Sequence, residues 1–276
     1  MLVNYNGIFV PETKAVLAVN DGAVLFGDSL FETLKARRKT ICHLERHLDR
    51  MEQSARLLVM PFDRRQVTAA LLAIAERLDA PVSRLRLTLS RGPFTGLTFP
   101  AQEQRHIFIT AQPYSEPTAQ ERRRGVNCVF APNQRVNPLS HLPQMKRGNY
   151  IDCLYAADFA RRQGAREALF VGVQGEILEG ATSNLFLRQG ETLITPTAGP
   201  LVLGGIMRHR IIRTAQALGL SVVEKNVSKM ELLAAEEVFL CNALIDILPV
   251  SAIENLPIAT GPVAGILLEQ LQRQTE

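Results

Sequence analysis

The sequence predicts a mixed α/β (α+β) fold in two domains, and three observations carry that expectation. Residues 84–90 (RLRLTLS) alternate strictly between Leu and Arg, Thr or Ser, the pattern of a strand with one buried face. Leu44, Leu48, Met51, Ala55 and Leu58 recur at spacings of three and four, as one face of a helix does. The stretch 113–125 (PYSEPTAQERRRG) interrupts both patterns with two prolines and a charge cluster, and reads as a linker. It divides an N-terminal α/β domain, 1–112, from a C-terminal α/β domain, 126–276. With 276 residues, 46% of them hydrophobic, the chain can bury two modest cores.

In the first domain, 30–36 (LFETLKA) and 106–112 (HIFITAQ) are further strands. Asp63 caps a second helix that carries Val67, Leu71, Ile74 and Leu78. In the second domain a strand at 126–131 leads to an irregular stretch, 132–147. A helix at 149–163, ended by Gly164, and a strand at 167–172 follow. Gln174-Gly175 turns the chain into a short strand and then into Asn184–Leu187. Gly204-Gly205 opens a helix at 206–219; strands at 221–225 and 237–241 and a helix near 262–273 complete the chain. Few of these units have βαβ rhythm, so the sheets are expected to be mixed.

Composition removes several functional classes. The net charge of +4 is small and spread along the chain, and its densest run, Arg122-Arg123-Arg124, has no interleaved aromatics, so no nucleic-acid partner is expected. Cys42, Cys128, Cys153 and Cys241 form no CxxC pair, and His43, His47, His106, His141 and His209 are scattered; no metal site is expected, and the thiols read as reduced. The N-terminus lacks a basic, then apolar, secretory signal, and no apolar run approaches the roughly 18 residues of a membrane span. A cytoplasmic protein without a membrane partner is the expectation.

Lys146 is the only lysine between positions 40 and 224. Arginine cannot deprotonate, so chemistry that needs a neutral amine has few candidates here. A loop lysine in SHLPQMKRGNY is ordinarily a solvated surface group. It becomes a nucleophile where burial or a nearby cation lowers its pKa. In GEILEGATSNLFL, Glu179 precedes a turn of small residues that lets backbone approach a ligand, although the same pattern also makes an ordinary hairpin. In LVLGGIMRHRII, Gly205, Ile206 and Met207 open a helix whose free N–H groups can seat a phosphate. Arg50, in HLERHLDRMEQSAR, can add a charged clamp, or is one more arginine on an amphipathic helix.

The ordered set FGDSLFETL, HLDRM, MKRGNY, LEGATSNLF, GGIMR and CNALIDILPV, over about residues 3–252, resembles the fold-type IV pyridoxal-phosphate enzymes of aminotransferase class IV. That resemblance implies a two-domain fold with pyridoxal 5'-phosphate between the domains. It implies that Lys146 carries the cofactor and shuttles protons, and that Glu179 pairs with the pyridine nitrogen. By the same resemblance Arg50 and the backbone of Ile206 and Met207 hold the phosphate, and Tyr150 or Asn149 lies near the ring. Such enzymes take a small-molecule amino substrate and are usually homodimers.

Within the family, the motifs are most similar to 4-amino-4-deoxychorismate lyases. Only Arg147-Gly148 separates Lys146 from Asn149, and Thr33 stands where branched-chain aminotransferases have glycine. The lyase-like CNALIDILPV places Asn242 and Ala243 at the substrate site. The resemblance implies that Thr33 assists proton transfer. Two departures mark the substrate pocket: Phe31 replaces a tyrosine of the D-amino-acid enzymes, and Thr95 stands where lyases carry a carboxylate-binding arginine. Arg91 or another residue is then expected to take that role. The implied activity is release of pyruvate from aminodeoxychorismate; the alternative is transamination of branched-chain or D-amino acids.

Overall fold

The computed structural model describes residues 1–100 and 105–273. The chain divides into two compact units, Met1–Glu116 with Met145–Tyr150, and Pro117–Gln144 with Ile151–Glu276.

The first unit holds β1 (Leu2–Tyr5), β2 (Ile8–Phe9), α1 (Gly22–Leu25), β3 (Ser29–Arg37), β4 (Thr40–Ile41), α2 (Leu44–Leu57), α3 (Arg64–Ala75), β5 (Val82–Ser90) and β6 (His106–Pro113). Its sheet runs β2-β1-β6-β5-β3-β4, every neighbour antiparallel. The β3–β5 register sets Phe31 opposite Thr88, Thr33 opposite Arg86 and Lys35 opposite Arg84. Directly opposed residues share a face, so this face is polar. The other face carries Leu30, Leu34, Leu85, Leu87 and Leu89, all buried. Onto it pack α2, through Leu48, Met51 and Ala55, and α3, through Val67, Leu71 and Ile74. Both helices form where their periodicity predicted, and Asp63 caps α3 by accepting from the Gln66 N–H at 3.1 Å.

The second unit holds α4 (Ala119–Arg124), β7 (Val126–Phe130), α5 (Ile151–Arg162), β8 (Glu167–Val171), β9 (Glu176–Gly180), β10 (Asn184–Gln189) and β11 (Thr192–Thr195). There follow α6 (Ile206–Ala217), β12 (Ser221–Glu224), β13 (Val227–Ser228), α7 (Lys229–Leu233), β14 (Glu237–Asn242), β15 (Asp246–Ile253), β16 (Leu256–Pro257) and α8 (Val263–Arg273). The sheet order is β12-β11-β10-β14-β15-β7-β8-β9-β13, with β16 on β15. It is mixed as expected: β11–β12, β7–β15 and β7–β8 are parallel and the rest antiparallel. Both faces are buried: Leu185, Leu187, Leu240 and Leu248 line one, and Phe186, Phe239 and Ile247 pack under α6 and α8 on the other. Among the described residues no helix is long and apolar enough to cross a membrane, and no cluster of His, Cys, Asp and Glu could hold a metal.

The boundary between the units, between Glu116 and Pro117, falls within 113–125, the expected linker. Its second half is α4, closed by a capping box in which the Thr118 hydroxyl accepts from the Glu121 N–H at 3.1 Å and Glu121 accepts from the Thr118 N–H at 2.7 Å. The segment with Lys146 belongs to the first unit, not to the C-terminal one, because it pairs with β3.

Candidate active site

The first unit brings Lys146, Phe31 and Tyr150 together. The Phe31 N–H donates to the Lys146 carbonyl at 2.9 Å and the Gly148 N–H to the Ser29 carbonyl at 2.7 Å, with an antiparallel bridge between Leu30 and Arg147. Only glycine fits at 148, since a Cβ there would lie 1.9 Å from the Ser29 hydroxyl and 3.1 Å from the Gly27 carbonyl. The bridge fixes the backbone and leaves the side chain of Lys146 over aromatic rings, with Nζ 4.6 Å from the Phe31 centroid and 5.4 Å from that of Tyr150. The two rings meet edge to face at 5.2 Å. Thr33 lies two residues beyond Phe31 on the same face of β3. Asn149 is exposed.

Glu32 alternates to the helix-covered face and is buried. It accepts from Arg50 at 2.8 Å (Nε) and 2.6 Å (Nη2), and lies 2.7 Å from His47 Nδ1. Burial pushes its pKa up, but the Arg50 charge and the hydrogen bonds from His47 and Arg50 outweigh this and bring it down to about 2. The same burial, with the charges of Arg50 and Lys146, lowers the pKa of His47 against the pull of Glu32. The buried Nε2 of His47 has no hydrogen-bond partner among the described residues. Arg50 is thus held in a fixed pose by Glu32.

In the second unit Glu179 is buried and joined to Gly205 through Asn184. Glu179 Oε1 accepts from Arg135 Nε at 2.9 Å, and Oε2 from the Leu203 N–H at 2.9 Å and from Asn184 Nδ2 at 3.3 Å. Arg135 also reaches Asp152 at 2.5 Å. The guanidinium holds the buried carboxylate in place. Asn184 Nδ2 also donates to the Leu203 carbonyl at 2.9 Å. A Cβ on Gly205 would meet Asn184 Oδ1 at 2.0 Å, so the glycine is a packing requirement. Gly205 is the N-cap of α6, and no side chain caps that helix, whose first residues are Ile206 and Met207. The turn between β9 and β10 is fixed by Glu167, which accepts from the Thr182 hydroxyl at 2.7 Å and the Ser183 hydroxyl at 2.9 Å, and whose pKa burial raises.

Two expected substrate residues are committed to the fold. Arg91 is buried, pairs with Asp28 at 2.7 Å, and donates to the carbonyls of Val59 at 2.7 Å and Leu58 at 2.9 Å. Asn242 accepts from the N–H groups of Leu244 at 2.8 Å and Ile245 at 2.9 Å and donates to the Thr182 carbonyl at 3.1 Å. It shapes the turn that carries Ala243. Sequence reasoning missed His47, Arg86, Arg135 and Glu167. Each is defined by a partner far away in the chain, so no local spacing could have found them.

The first unit thus holds a primary amine on an aromatic floor, and the second, taken by itself, a buried carboxylate locked by arginine and a helix that opens on glycine without a side-chain cap. The chain belongs to the class IV aminotransferase family: the profile described as "Amino-transferase class IV" matches residues 29–253. Enzymes of this family use pyridoxal phosphate, and the protein is one of its pyridoxal-phosphate enzymes. It is 28% identical to a putative branched-chain-amino-acid aminotransferase of Methanocaldococcus jannaschii, covering 96% of this chain and 92% of that one. Among solved structures it is similar to the branched-chain amino acid aminotransferase of Escherichia coli, with a TM-score of 0.91, 26% identity and coverage of 99% and 94%. It is likewise similar to the 4-amino-4-deoxychorismate lyase of Pseudomonas aeruginosa, with a TM-score of 0.88, 30% identity and 99% coverage of both chains.

Proposed function

We propose that the protein is an aminodeoxychorismate lyase, which releases pyruvate to leave 4-aminobenzoate. The observation that carries the reading is Thr33, a hydroxyl on the same row of β3 as Phe31, the ring beneath the Lys146 amine. A lyase must deliver a proton to a leaving group as well as remove one from carbon, and a hydroxyl on the row that carries Phe31 suits that need. The similarity to the Pseudomonas aeruginosa lyase over the full length of both chains supports it.

The residues fit pyridoxal phosphate. As the resemblance implies, Lys146 would supply the amine that anchors it, Glu179 the carboxylate for the pyridine nitrogen, and Arg50 and the first N–H groups of α6 donors for the phosphate. His47 Nε2, a buried and orphaned polar atom beside Arg50, marks a place where a polar ligand is wanted. When bound, the cofactor acts as an electron sink for charge developed at the carbon bearing the amine. Lys146 takes the proton from that carbon. The carbon–oxygen bond to the enolpyruvyl group breaks, Thr33 or Lys146 delivers a proton to the departing fragment, and the remaining ring becomes aromatic. Glu179, held in place by Arg135, would pair with the pyridine nitrogen and favour its protonated form. We propose that the protein works as a homodimer, as the resemblance implies, which light scattering on the purified protein tests.

The test is incubation of cofactor-loaded protein with aminodeoxychorismate, and separately with D- and L-amino acids plus 2-oxoglutarate. Equal amounts of pyruvate and 4-aminobenzoate, formed without a keto acid and abolished in Lys146→Ala, are the expected result. Glutamate formation without 4-aminobenzoate overturns it in favour of a class IV aminotransferase, a reading that the similarity to the branched-chain enzymes favours.

A further inference from the structure

Glu167, the first residue of β8, is buried and held by four donors, all neutral: the hydroxyls of Thr182 at 2.7 Å and Ser183 at 2.9 Å, and the N–H groups of Thr182 and Ala168, both at 3.2 Å. Among the described residues no cation pairs with it, and burial raises its pKa. A lone carboxylate in an interior is costly, and packing alone is served as well by an apolar side chain of similar size. What Glu167 holds is the turn from Gly180 to Asn184, which begins one residue after Glu179. A Cβ on Gly180 would lie 2.4 Å from the Ser183 hydroxyl and 2.9 Å from Glu167 Cγ, so the residue after Glu179 sits directly on the stem of Glu167. The Ala181 N–H donates to the Ala168 carbonyl at 2.8 Å, and the Gly180 N–H to the Ser183 carbonyl at 2.7 Å. At the far end of the turn, Asn184 Nδ2 donates to Glu179 Oε2 at 3.3 Å. From the other side, Asn242 Nδ2 donates to the Thr182 carbonyl at 3.1 Å. Thr182 is thus gripped at its hydroxyl, its N–H and its carbonyl.

We infer that Glu167 is a positioning residue for Glu179: by clamping Thr182, Ser183 and Gly180 it sets where the Glu179 carboxylate and its Asn184 donor stand. Arg135 and the Leu203 N–H grip the Glu179 carboxylate from outside the turn, but the backbone on its C-terminal side is fixed by Glu167. Without that clamp the turn hangs on Asn242 and on its own backbone hydrogen bonds. The attraction between a carboxylate and a ring nitrogen weakens with distance, so a slack turn lowers the hold of Glu179 on a proton there. The inference rests on the proposed pairing of Glu179 with the pyridine nitrogen. It does not depend on whether the reaction is elimination or transamination.

The experiment loads each protein with pyridoxal phosphate labelled with nitrogen-15 in the ring and reads the nitrogen resonance, which separates a protonated from a neutral pyridine. Wild type is expected at the protonated position, and Glu179→Gln displaced toward the neutral one. Glu167→Ala, which removes every acceptor of the clamp, is expected to be displaced in the same direction by a smaller step. Glu167→Gln keeps the size and one acceptor oxygen, and is expected between Glu167→Ala and wild type. Glu237→Ala removes another buried carboxylate of the same unit and controls for lost stability; it is expected to keep the wild-type resonance. A wild-type resonance in Glu167→Ala, with Glu179→Gln displaced, overturns the inference and leaves the Glu179 pairing standing. A wild-type resonance in Glu179→Gln overturns the pairing and the inference with it. Equal displacement in Glu237→Ala and Glu167→Ala also overturns the inference, because lost stability then suffices. Should Glu167→Ala fail to fold or to load cofactor, Thr182→Val takes its place, since it removes only one hydroxyl from an exposed position. Displacement of its resonance toward that of Glu179→Gln supports the inference; the wild-type resonance overturns it.

Discussion

Arg50 closes on Glu32 through two N–H groups, Nε at 2.8 Å and Nη2 at 2.6 Å, while His47 Nδ1 meets the same carboxylate at 2.7 Å. Two side chains from successive turns of α2 thus converge on one strand residue, which fixes α2 on β3 and sets the pose of Arg50. The carboxyl of Glu32 titrates at about 2 in the folded protein, against an ordinary value of 4.5. A carboxylate whose pKa is depressed by folding contributes stability that is fully present above the ordinary value and is lost as pH falls through the folded one. The urea midpoint of wild type is therefore expected to fall between about pH 4.5 and pH 2, with a shallower slope in Glu32→Gln. Glu32→Ala, which leaves the half-buried Arg50 guanidinium and the His47 N–H without their acceptor, is expected to cost about 3 kcal/mol at neutral pH. Identical acid limbs in wild type and Glu32→Gln would sink the assignment.

Glu179 and Gly205 are expected to fail in different ways. If Glu179 pairs with the pyridine nitrogen as proposed, Glu179→Gln removes that carboxylate while the neighbours change little. Turnover is expected to drop by about 10² or more with cofactor still bound. In Gly205→Ala the new Cβ would stand 2.0 Å from Asn184 Oδ1, so Asn184 has to leave its place between Glu179 and Leu203. Cofactor affinity is expected to fall about tenfold or more, read by equilibrium dialysis, with turnover of the saturated enzyme less affected than in Glu179→Gln. Equal affinity in wild type and Gly205→Ala would show that the Asn184 bridge is dispensable.

What the chain made legible and what it hid follow one physical rule. α2, α3 and β5 are written in local periodicity, and Asp63 announces its helix by a hydrogen bond only three residues long. Lys146, Glu179 and Gly205 stand out because an amine, a carboxylate before small residues, and a glycine pair are chemically unusual where they occur. The short and irregular elements escaped, β1, β15 and α4 among them. β1 has four residues, too few to show a period. β15 (DILPVSAI) carries Pro249 and is buried on both faces over much of its length, so it shows no alternation. α4 has six residues, hidden behind Pro113 and Pro117. The partners of the site were unreadable for a different reason. Arg135 is 44 positions from Glu179, and Arg91 is 63 from Asp28. Their pairing exists only once the sheets have formed.

Thr33→Val separates the two chemistries that this family supports. Valine keeps the β-branched shape on β3 and removes only the hydroxyl. If Thr33 relays a proton to the leaving group, pyruvate release is expected to fall about tenfold to a hundredfold. Exchange of the proton at the amine-bearing carbon of a bound amino acid, which Lys146 handles alone, is expected to stay within about threefold, read by proton NMR in deuterated solvent. A parallel loss of both reactions would place Thr33 in packing and not in proton transfer.

Far from these groups, Glu237 sets the position of the C-terminal helix. Its carboxylate is buried at the start of β14 and accepts from the N–H of Val263 at 3.0 Å and of Ala264 at 2.7 Å, the first two residues of α8. A carboxylate at a helix N-terminus satisfies orphan donors and meets the positive end of the helix dipole. Gly261 makes room for it, since a Cβ there would lie 2.4 Å from Glu237 Oε2. Leu267 and Leu271 of α8 bury against the sheet only if the helix begins at that point. Glu237→Ala leaves two buried N–H groups unsatisfied and is expected to cost about 2 kcal/mol. Glu237→Gln keeps an acceptor oxygen for one of them, and should recover about half of that loss. The check is the chemical-denaturation midpoint of the three proteins together with amide exchange of α8. Faster exchange confined to α8, in the order wild type, Gln, Ala, is the expected pattern. An unchanged midpoint in Glu237→Ala would mean that packing of Leu267 and Leu271 alone holds the helix.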